Sequence, residues 1–270
     1  MKRVILFCLF LFSIYTVVTA QDPAPVMATD TIASAQTGNA SDAAIIAYNE
    51  GDFNRAIEIL EARKTEQKEK GLESAQLYYN LGNAYFRVND LAHARLNYER
   101  ALLLAPGDRD IRHNLDYLST KIEDKILVAD TFFLGIWLRA VQNLFGSNTW
   151  AVMSVAAFLL FIASLVAFFF SRLIVMKKAA FYAGMASLVI VVFTNVFSFS
   201  QKNRIESRDT AVITAGSASV VSSPDINSKE LFVLHAGTRV YITKEDRNWF
   251  EIEIDNGSVG WIQREKLEVI

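Results

Sequence analysis

Metal or nucleophilic chemistry in this chain would have to be built from three histidines (His93, His113 and His235) and one cysteine, Cys8. The histidines are far apart and form no HExxH-type ligand pair. Cys8 lies inside the first apolar run, so a chain cut after Ala20 would carry no thiol. That removes disulfides, thiolate metal sites and a cysteine nucleophile together. The sequence has no phosphate-binding glycine loop, nucleophile elbow or dinucleotide fingerprint. A formal net charge of -2 provides no field for nucleic acid. The expected chemistry is therefore recognition, with no catalysis, cofactor or metal.

The residues suited to recognition fall in two places. Gln76, Tyr79, Asn83, Phe86 and Arg87 recur at i, i+3, i+7, i+10 and i+11, which puts them on one helix face. Asp110, His113 and Tyr117 would continue that face on a following helix. Two side-chain amides beside Arg87 suit a peptide carboxylate or backbone, although the same residues also fit an ordinary wet helix face. Nearer the C-terminus, Tyr241, Trp249 and Trp261 are the aromatics available for ligand contact, in a segment short enough to need most aromatics as core.

The elements that must position the first set are helical and repeated. Asp52-Phe53 with Ala56 returns as Asp90-Leu91 with Ala94, and Asn80-Leu81 returns as Asn114-Leu115. The fullest unit runs from Ala75 to Asp108. It contains Leu77-Tyr78-Tyr79-Asn80-Leu81-Gly82-Asn83-Ala84-Tyr85, then Asn89-Asp90, Ala94, Tyr98, Ala101 and Leu104-Ala105-Pro106. This unit closely resembles a tetratricopeptide repeat. Gly82 and Ala94 are small where two antiparallel helices cross, Asn89-Asp90 makes the turn, and Pro106 stops the second helix. A preceding unit (about Gly38 to Glu73) matches in its second half and carries extra charged residues near Lys64 to Lys70. Arg109 to Ile126 matches only a first helix and reads as a cap, with Asp116 where Gly82 stood. An all-α tetratricopeptide-repeat domain is expected over 41–126. Two repeats and a cap are few for a solenoid, so the domain is expected to lean on the membrane-proximal helix or on another protein. In such repeats the first helices line a peptide-gripping groove.

The rest of the chain points to a membrane. Met1-Lys2-Arg3, an apolar run to Val18 and Val18-Thr19-Ala20 read as a signal peptide over 1–20, with a retained anchor as the alternative. Residues 21–40 read as a disordered tether. Residues 150–170 and 179–199 are uncharged apolar runs, long enough for helices to cross about 30 Å of hydrocarbon. They predict a two-helix transmembrane hairpin. The 171–178 loop between them carries Arg172, Lys177 and Lys178, so it is expected in the cytoplasm with both flanks outside. Ala180-Gly184 and Ala183-Ser187 are small-xxx-small pairs suited to close helix packing. Asn195 either bonds across that contact or sits at interface depth. Residues 130–146 carry an apolar stripe through Phe132, Phe133, Ile136, Trp137, Ala140, Val141, Leu144 and Phe145. This fits an interfacial amphipathic helix or one packed on the repeats.

After Asn203 the pattern changes to short strands. Strands are expected at Thr210–Thr214, Ser219–Ser222, Arg239–Thr243, Trp249–Ile254 and Ser258–Ile262, with a turn at Asn256-Gly257. Gly237-Thr238-Arg239-Val240 and Gly257-Ser258-Val259-Gly260-Trp261-Ile262 resemble bacterial SH3-like domains, implying a small all-β SH3-like barrel over 207–270. Such domains often bind peptides or cell-wall material through exposed aromatics.

The order of parts resembles the BatE proteins of the Bacteroides aerotolerance operon over essentially the whole chain. That resemblance implies a multidomain membrane protein of the bacterial inner membrane, acting as a non-catalytic scaffold in an envelope complex linked to stress tolerance. It also implies partners among membrane-bound von Willebrand A-domain proteins and a MoxR-type ATPase system, with peptidoglycan as an alternative ligand. Asp30-Thr31-Ile32 and Asp209-Thr210-Ala211 resemble the Asp-Thr/Ser-apolar acceptor of periplasmic O-glycosylation in Bacteroidetes, which makes Thr31 and Thr210 candidate sites.

Overall fold

The computed structural model describes residues 38–126 and 133–270. The expected signal peptide, most of the tether, Thr31 and Phe132 lie outside the described residues.

Five helices form the first layer: α1 (Gly38–Asn49), α2 (Phe53–Glu69), α3 (Ala75–Arg87), α4 (Leu91–Leu104) and α5 (Arg109–Lys121). The internal repeat has a local cause. Each first helix ends on a left-handed residue, Gly51 (φ 84) or Asn89 (φ 64), and the next residue caps the second helix. Asp52 accepts from the Arg55 amide and Asp90 from the His93 amide, satisfying donors that a helix start leaves orphaned. Both turns also use the same backbone bonds, Asp52 N–H to Ala47 and Asp90 N–H to Tyr85. The charged Lys64–Lys70 stretch simply lengthens α2. Gly82 is required by α4: a methyl there would stand 2.5 Å from the Tyr98 ring. The repeat core falls into two buried clusters, one around Ala44, Leu60 and Leu81 and one around Tyr98, Ile111 and Leu118, with Tyr85 packed against both.

Helix α6 (Phe133–Gln142) buries none of its residues. Trp137 is 60% exposed, and Phe133 and Ile136 are also open, so the stripe of α6 itself does not pack on the repeats, although the chain just after it lies against Gly107 at Leu144.

Helices α7 (Ser147–Phe170) and α8 (Ile174–Ser207) form an antiparallel hairpin. Both are long and apolar enough to cross a membrane. The expected basic loop is shorter than its sequence suggests: α8 starts at Ile174, so Lys177 and Lys178 lie in helix. On α7 the inward positions are Trp150, Ser154, Ala157, Phe161 and Ser164. On α8 they are Ala180, Gly184, Ser187, Val191, Thr194 and Ser198. Steps of three and four give the heptad period of a left-handed helix pair. A methyl on Gly184 would lie 3.4 Å from Ser164 Cβ. Ala183 faces outward, so only the Ala180-Gly184 pair serves the contact. Asn195 bonds across it, its Nδ2 donating to Ser154 Oγ at 2.5 Å.

Helix α8 continues past the apolar run to Ser207. At about 1.5 Å per residue, its 34 residues form a rod roughly 51 Å long. Arg208 (φ 45) turns the chain into the β domain.

That domain has seven strands: β1 (Thr210–Ile213), β2 (Ser217–Val221), β3 (Glu230–His235), β4 (Arg239–Asp246), β5 (Trp249–Glu253), β6 (Val259–Gln263) and β7 (Leu267–Val269). They pair antiparallel in the order β3-β2-β6-β5-β4-β1-β7. Five of them coincide with the sequence reading, and β3 and β7 are additions. Strand β3 gives no alternating sequence signal, because Leu231 and Val233 are apolar yet exposed while Phe232 and Leu234 face the core. β7 is only three residues long. Gly257 (φ 84) closes the β5–β6 turn, its amide bonded to the Ile254 carbonyl. Gly260 is fixed by close approach, since a methyl there would sit 2.5 Å from Val220. Ile213, Val220, Phe250, Ile252 and Ile262 fill the interior.

Candidate functional site

The expected groove face divides in two. Tyr79 and Asn83 are only 9% and 8% exposed, which corrects their reading as surface residues. The Tyr98 hydroxyl donates to Asn83 Oδ1 at 2.7 Å, and Asn114 Nδ2 donates to both Asn83 Oδ1 and the Tyr79 hydroxyl at 3.1 Å. These groups tie α3, α4 and α5 together inside the stack. Burial raises the Tyr79 hydroxyl above its ordinary pKa. The sequence carried the signal for this: Asn114 repeats Asn80, and a repeated amide in a solenoid can serve the stack as well as a ligand.

The other predicted residues are partly open. Phe86 packs against Tyr117 with ring centres 5.9 Å apart, and His113 is exposed on the same helix as Tyr117. Gln76 bonds to Asn80. Arg87 lies over the Phe53 ring at 4.4 Å, a cation–π contact that holds it toward the first repeat. Of the expected face, the Phe86–Tyr117 pair stays partly open, and His113 and Asp110 are exposed on α5.

Sequence reasoning missed a second feature entirely: the β domain is docked on the repeats. Leu96 of α4, Val212 of β1 and the terminal Ile270 form one buried cluster. Ile126, beyond the cap, packs on the β-domain core, and a methyl on Gly237 would press 3.1 Å from Ile122. Polar groups surround this contact. Arg208 forks onto both Glu73 oxygens at 2.8 and 2.7 Å. Arg100 donates to Glu268 at 2.9 Å and to the Val269 carbonyl at 2.5 Å. Asp124 accepts from the His235 amide at 2.8 Å and from the Thr238 hydroxyl at 2.6 Å, and it pairs with His235 Nδ1 at 2.7 Å.

Charges shift accordingly. Burial raises the Asp124 pKa, but the bonds from Thr238 and His235 outweigh it and leave the carboxyl below its ordinary value. The Asp124 bond in turn lifts the His235 imidazole. Burial likewise acts against ionised Glu73, and the hydrogen bonds and charge of Arg208 reverse it. Deeper in, Glu99 stands between Arg95 at 3.5 Å and Arg239 at 3.7 Å. Burial depresses Arg95, whereas Glu99, Tyr241 and Asp255 overcome the same burial at Arg239 and raise it. Gly237, Thr238 and Arg239, which carried the SH3 resemblance, are thus the residues that face the repeats.

Tyr241 is at this junction too, its hydroxyl accepting from Arg239 at 2.8 Å. Thr210 lines the same junction cavity and pairs with Tyr241 within the sheet, a placement unlike an open glycan-bearing loop. Trp249 is elsewhere. It lines an open cleft of about 830 Å³ with Pro224, Ile226, Asn248 and Arg264, all from the β domain. Ile226 on its rim is 76% exposed. Among the described residues no group of three or more His, Cys, Asp or Glu is placed to hold a metal ion.

The fold and these surfaces define a protein built from two interaction modules and an apolar hairpin. Residues 75–108 match the tetratricopeptide repeat family, and residues 216–268 match the bacterial SH3 domain family. An 83-residue stretch of the chain is similar to Tetratricopeptide repeat protein 16 of Homo sapiens and of Macaca fascicularis, at 32% identity. It is 34% identical over 83 residues to the Mus musculus protein. These stretches cover 30% of this chain but only 9% of the human and macaque proteins and 10% of the mouse protein. The chain therefore spans about a tenth of the length of these curated relatives. Tetratricopeptide repeats bind protein partners, bacterial SH3 domains commonly bind peptidoglycan, and both are typically non-catalytic.

Proposed function

We propose that this chain is a non-catalytic scaffold anchored in the bacterial inner membrane, holding protein partners of an envelope complex on its repeat domain. The observation that carries this reading is the docking of both modules on each other at one end of the hairpin. Domains in contact occupy one compartment, and the basic residues at the hairpin's other end favour placing that compartment in the periplasm. The order of parts supports a BatE-type role in aerotolerance, with von Willebrand A-domain membrane proteins and a MoxR-type ATPase system as the partners to seek. Contact runs through Phe86, Tyr117 and His113, with Tyr79 and Asn83 supporting them from beneath.

The test is cross-linking in native membranes followed by identification of the captured proteins, for the wild type and for a Phe86→Ala/His113→Ala variant. Loss of one specific envelope protein in the variant supports the scaffold. An unchanged set of captured proteins removes the surface from consideration. A reporter active only outside the cytoplasm should work when fused after Ile270, and activity from a fusion at Lys177 instead would reverse the orientation.

The Trp249 cleft favours a second reading, in which the β domain also grips the cell wall. It is open, carries an aromatic and an exposed aliphatic side chain, and shares no residue with the docked face. Full-length protein in detergent should then pellet with sacculi and a Trp249→Ala variant should not. Whether Thr31 or Thr210 carries an O-linked glycan is decided by an intact-mass measurement on native protein.

A further inference from the structure

At the docked junction lies a cavity of about 490 Å³ where the repeats, the end of α6, the upper turns of α8 and the β domain meet. Its volume is within the ~300–1,000 Å³ range of small-molecule sites. Three guanidinium groups line it, Arg112, Arg204 and Arg239, against the side-chain carboxylate of Glu99 and the α-carboxylate of Ile270. Glu99 is already flanked by Arg95 and Arg239. Arg112 donates to the Pro106 carbonyl at 2.6 Å and makes no ion pair with any described residue. Arg204 makes neither a hydrogen bond nor an ion pair with the described residues. The cavity therefore presents two guanidinium groups with no ion-pair partner among the described residues, beside apolar Ala140, Leu102 and Leu144.

Two amides add a second requirement. Gln201 is only 5% exposed, and its Nε2 donates to the Gln142 carbonyl at 2.6 Å and to the Phe145 carbonyl at 2.8 Å. Those two acceptors fix which end of the amide is which. Gln201 Oε1 is then a buried acceptor with no donor among the described residues, and Asn143 Oδ1 is another. Both residues line the cavity. Unpaired buried acceptors cost about 1–3 kcal/mol each, so an occupant that donates to them is favoured. The occupant must accept from arginine and donate to amide oxygens.

Depth supplies the third constraint. Gln201 and Arg204 are two and five residues beyond Phe199, where the apolar run ends. At about 1.5 Å per residue that is roughly 3–8 Å above the hydrocarbon, the level of lipid headgroups. The exposed stripe of α6 lies beside it, as an interfacial helix would.

The geometry points to a headgroup site for a glycerophospholipid whose phosphate meets Arg112 and Arg204 and whose terminal hydroxyl or ammonium donates to Gln201 and Asn143. Phosphatidylglycerol and phosphatidylethanolamine meet both demands. Phosphatidylcholine has the phosphate but no terminal donor. This inference rests on the reading of α7 and α8 as membrane spans.

The experiment uses full-length protein in a zwitterionic detergent, with bound lipid counted by native mass spectrometry. Phosphatidylglycerol, phosphatidylethanolamine and phosphatidylcholine of matched chains are the probes, with inorganic phosphate as competitor. We expect the first two lipids to be retained at least ~10-fold better than phosphatidylcholine. Arg112→Ala and Arg204→Ala should each cut that retention several-fold with the thermal midpoint unchanged, and Lys202→Ala, on the same helix but outside the cavity, should not. Equal retention of all three lipids, or equal losses in Lys202→Ala and Arg204→Ala, would overturn the site. Displacement of lipid by millimolar inorganic phosphate, with phosphate binding through the same arginines, would make free phosphate the ligand and overturn the headgroup assignment. Carbonate extraction of native membranes separates the two failures. Protein that washes off refutes the membrane reading, and protein that stays but shows no lipid preference refutes only this site.

Discussion

Asp124, three residues past the capping helix, holds His235 at the end of β3 by two contacts, one to its backbone amide and one to its ring. The pair joins chain segments 111 residues apart and fastens the β domain to the repeats. Its protonation therefore bears on whether the two modules stay together.

The sign of the pH effect follows from the two shifts. The His235 pKa is raised in the folded protein, so its contribution is complete below the ordinary imidazole value near 6.5 and fades as pH rises through the folded value. The Asp124 pKa is lowered, so its contribution is present above about 3.9 and is lost as pH falls through the folded value. We expect docking to be firmest between about pH 4 and 6.5. Thermal midpoints from pH 4 to 9 should show the wild type losing an advantage over His235→Leu on the alkaline side. Parallel curves for the two proteins would exclude the latch.

Docking also has an apolar part. Leu96 is buried beneath Val212 and Ile270, and truncation of such a side chain costs about 2–5 kcal/mol. Leu96→Ala should lower the thermal midpoint by several degrees and raise protease cleavage near Arg208. Cleavage unchanged from wild type would mean that the modules are held without this cluster.

The repeat crossing tolerates no added volume at Gly82, because the Tyr98 ring already fills the space. Tyr98 is held by its bond to Asn83 and cannot swing aside freely. Gly82→Ala should destabilise the repeat domain by about 1–3 kcal/mol, despite alanine's better helix propensity. A midpoint equal to or above wild type in chemical denaturation would contradict this.

Within the hairpin, Gly184→Leu would drive a side chain against Ser164 and separate the helices. Asn195→Leu removes only one interhelical bond, worth about 0.6 kcal/mol in membrane proteins. We expect the glycine variant to be clearly less stable in detergent than the asparagine variant. The reverse order would mean that the polar bond, and not close packing, sets the pairing.

Much of the fold was legible because its causes are local. The Gly51-Asp52 and Asn89-Asp90 turns, the apolar runs and the Asn256-Gly257 turn each carry their reason within a few residues. Tyr79 and Asn83 misled because a polar side chain on a regular helical face looks the same whether it meets water or a third helix. The docked junction was invisible for a different reason. Glu73, Arg100 and Asp124 look like ordinary solvated charges, and their partners lie 135, 168 and 111 residues away. Only the folded chain brings them together.

Helix α8 runs without a break from Ile174 to Ser207, and only the left-handed Arg208 and Asp209 separate it from the sheet. Lever mechanics follow from that continuity. If α7 and α8 span a bilayer as proposed, any tilt that it imposes on the hairpin, through its thickness or lateral stress, must swing the Trp249 cleft and the Phe86 face through the same arc. The membrane thereby becomes an input to what the two surfaces can reach.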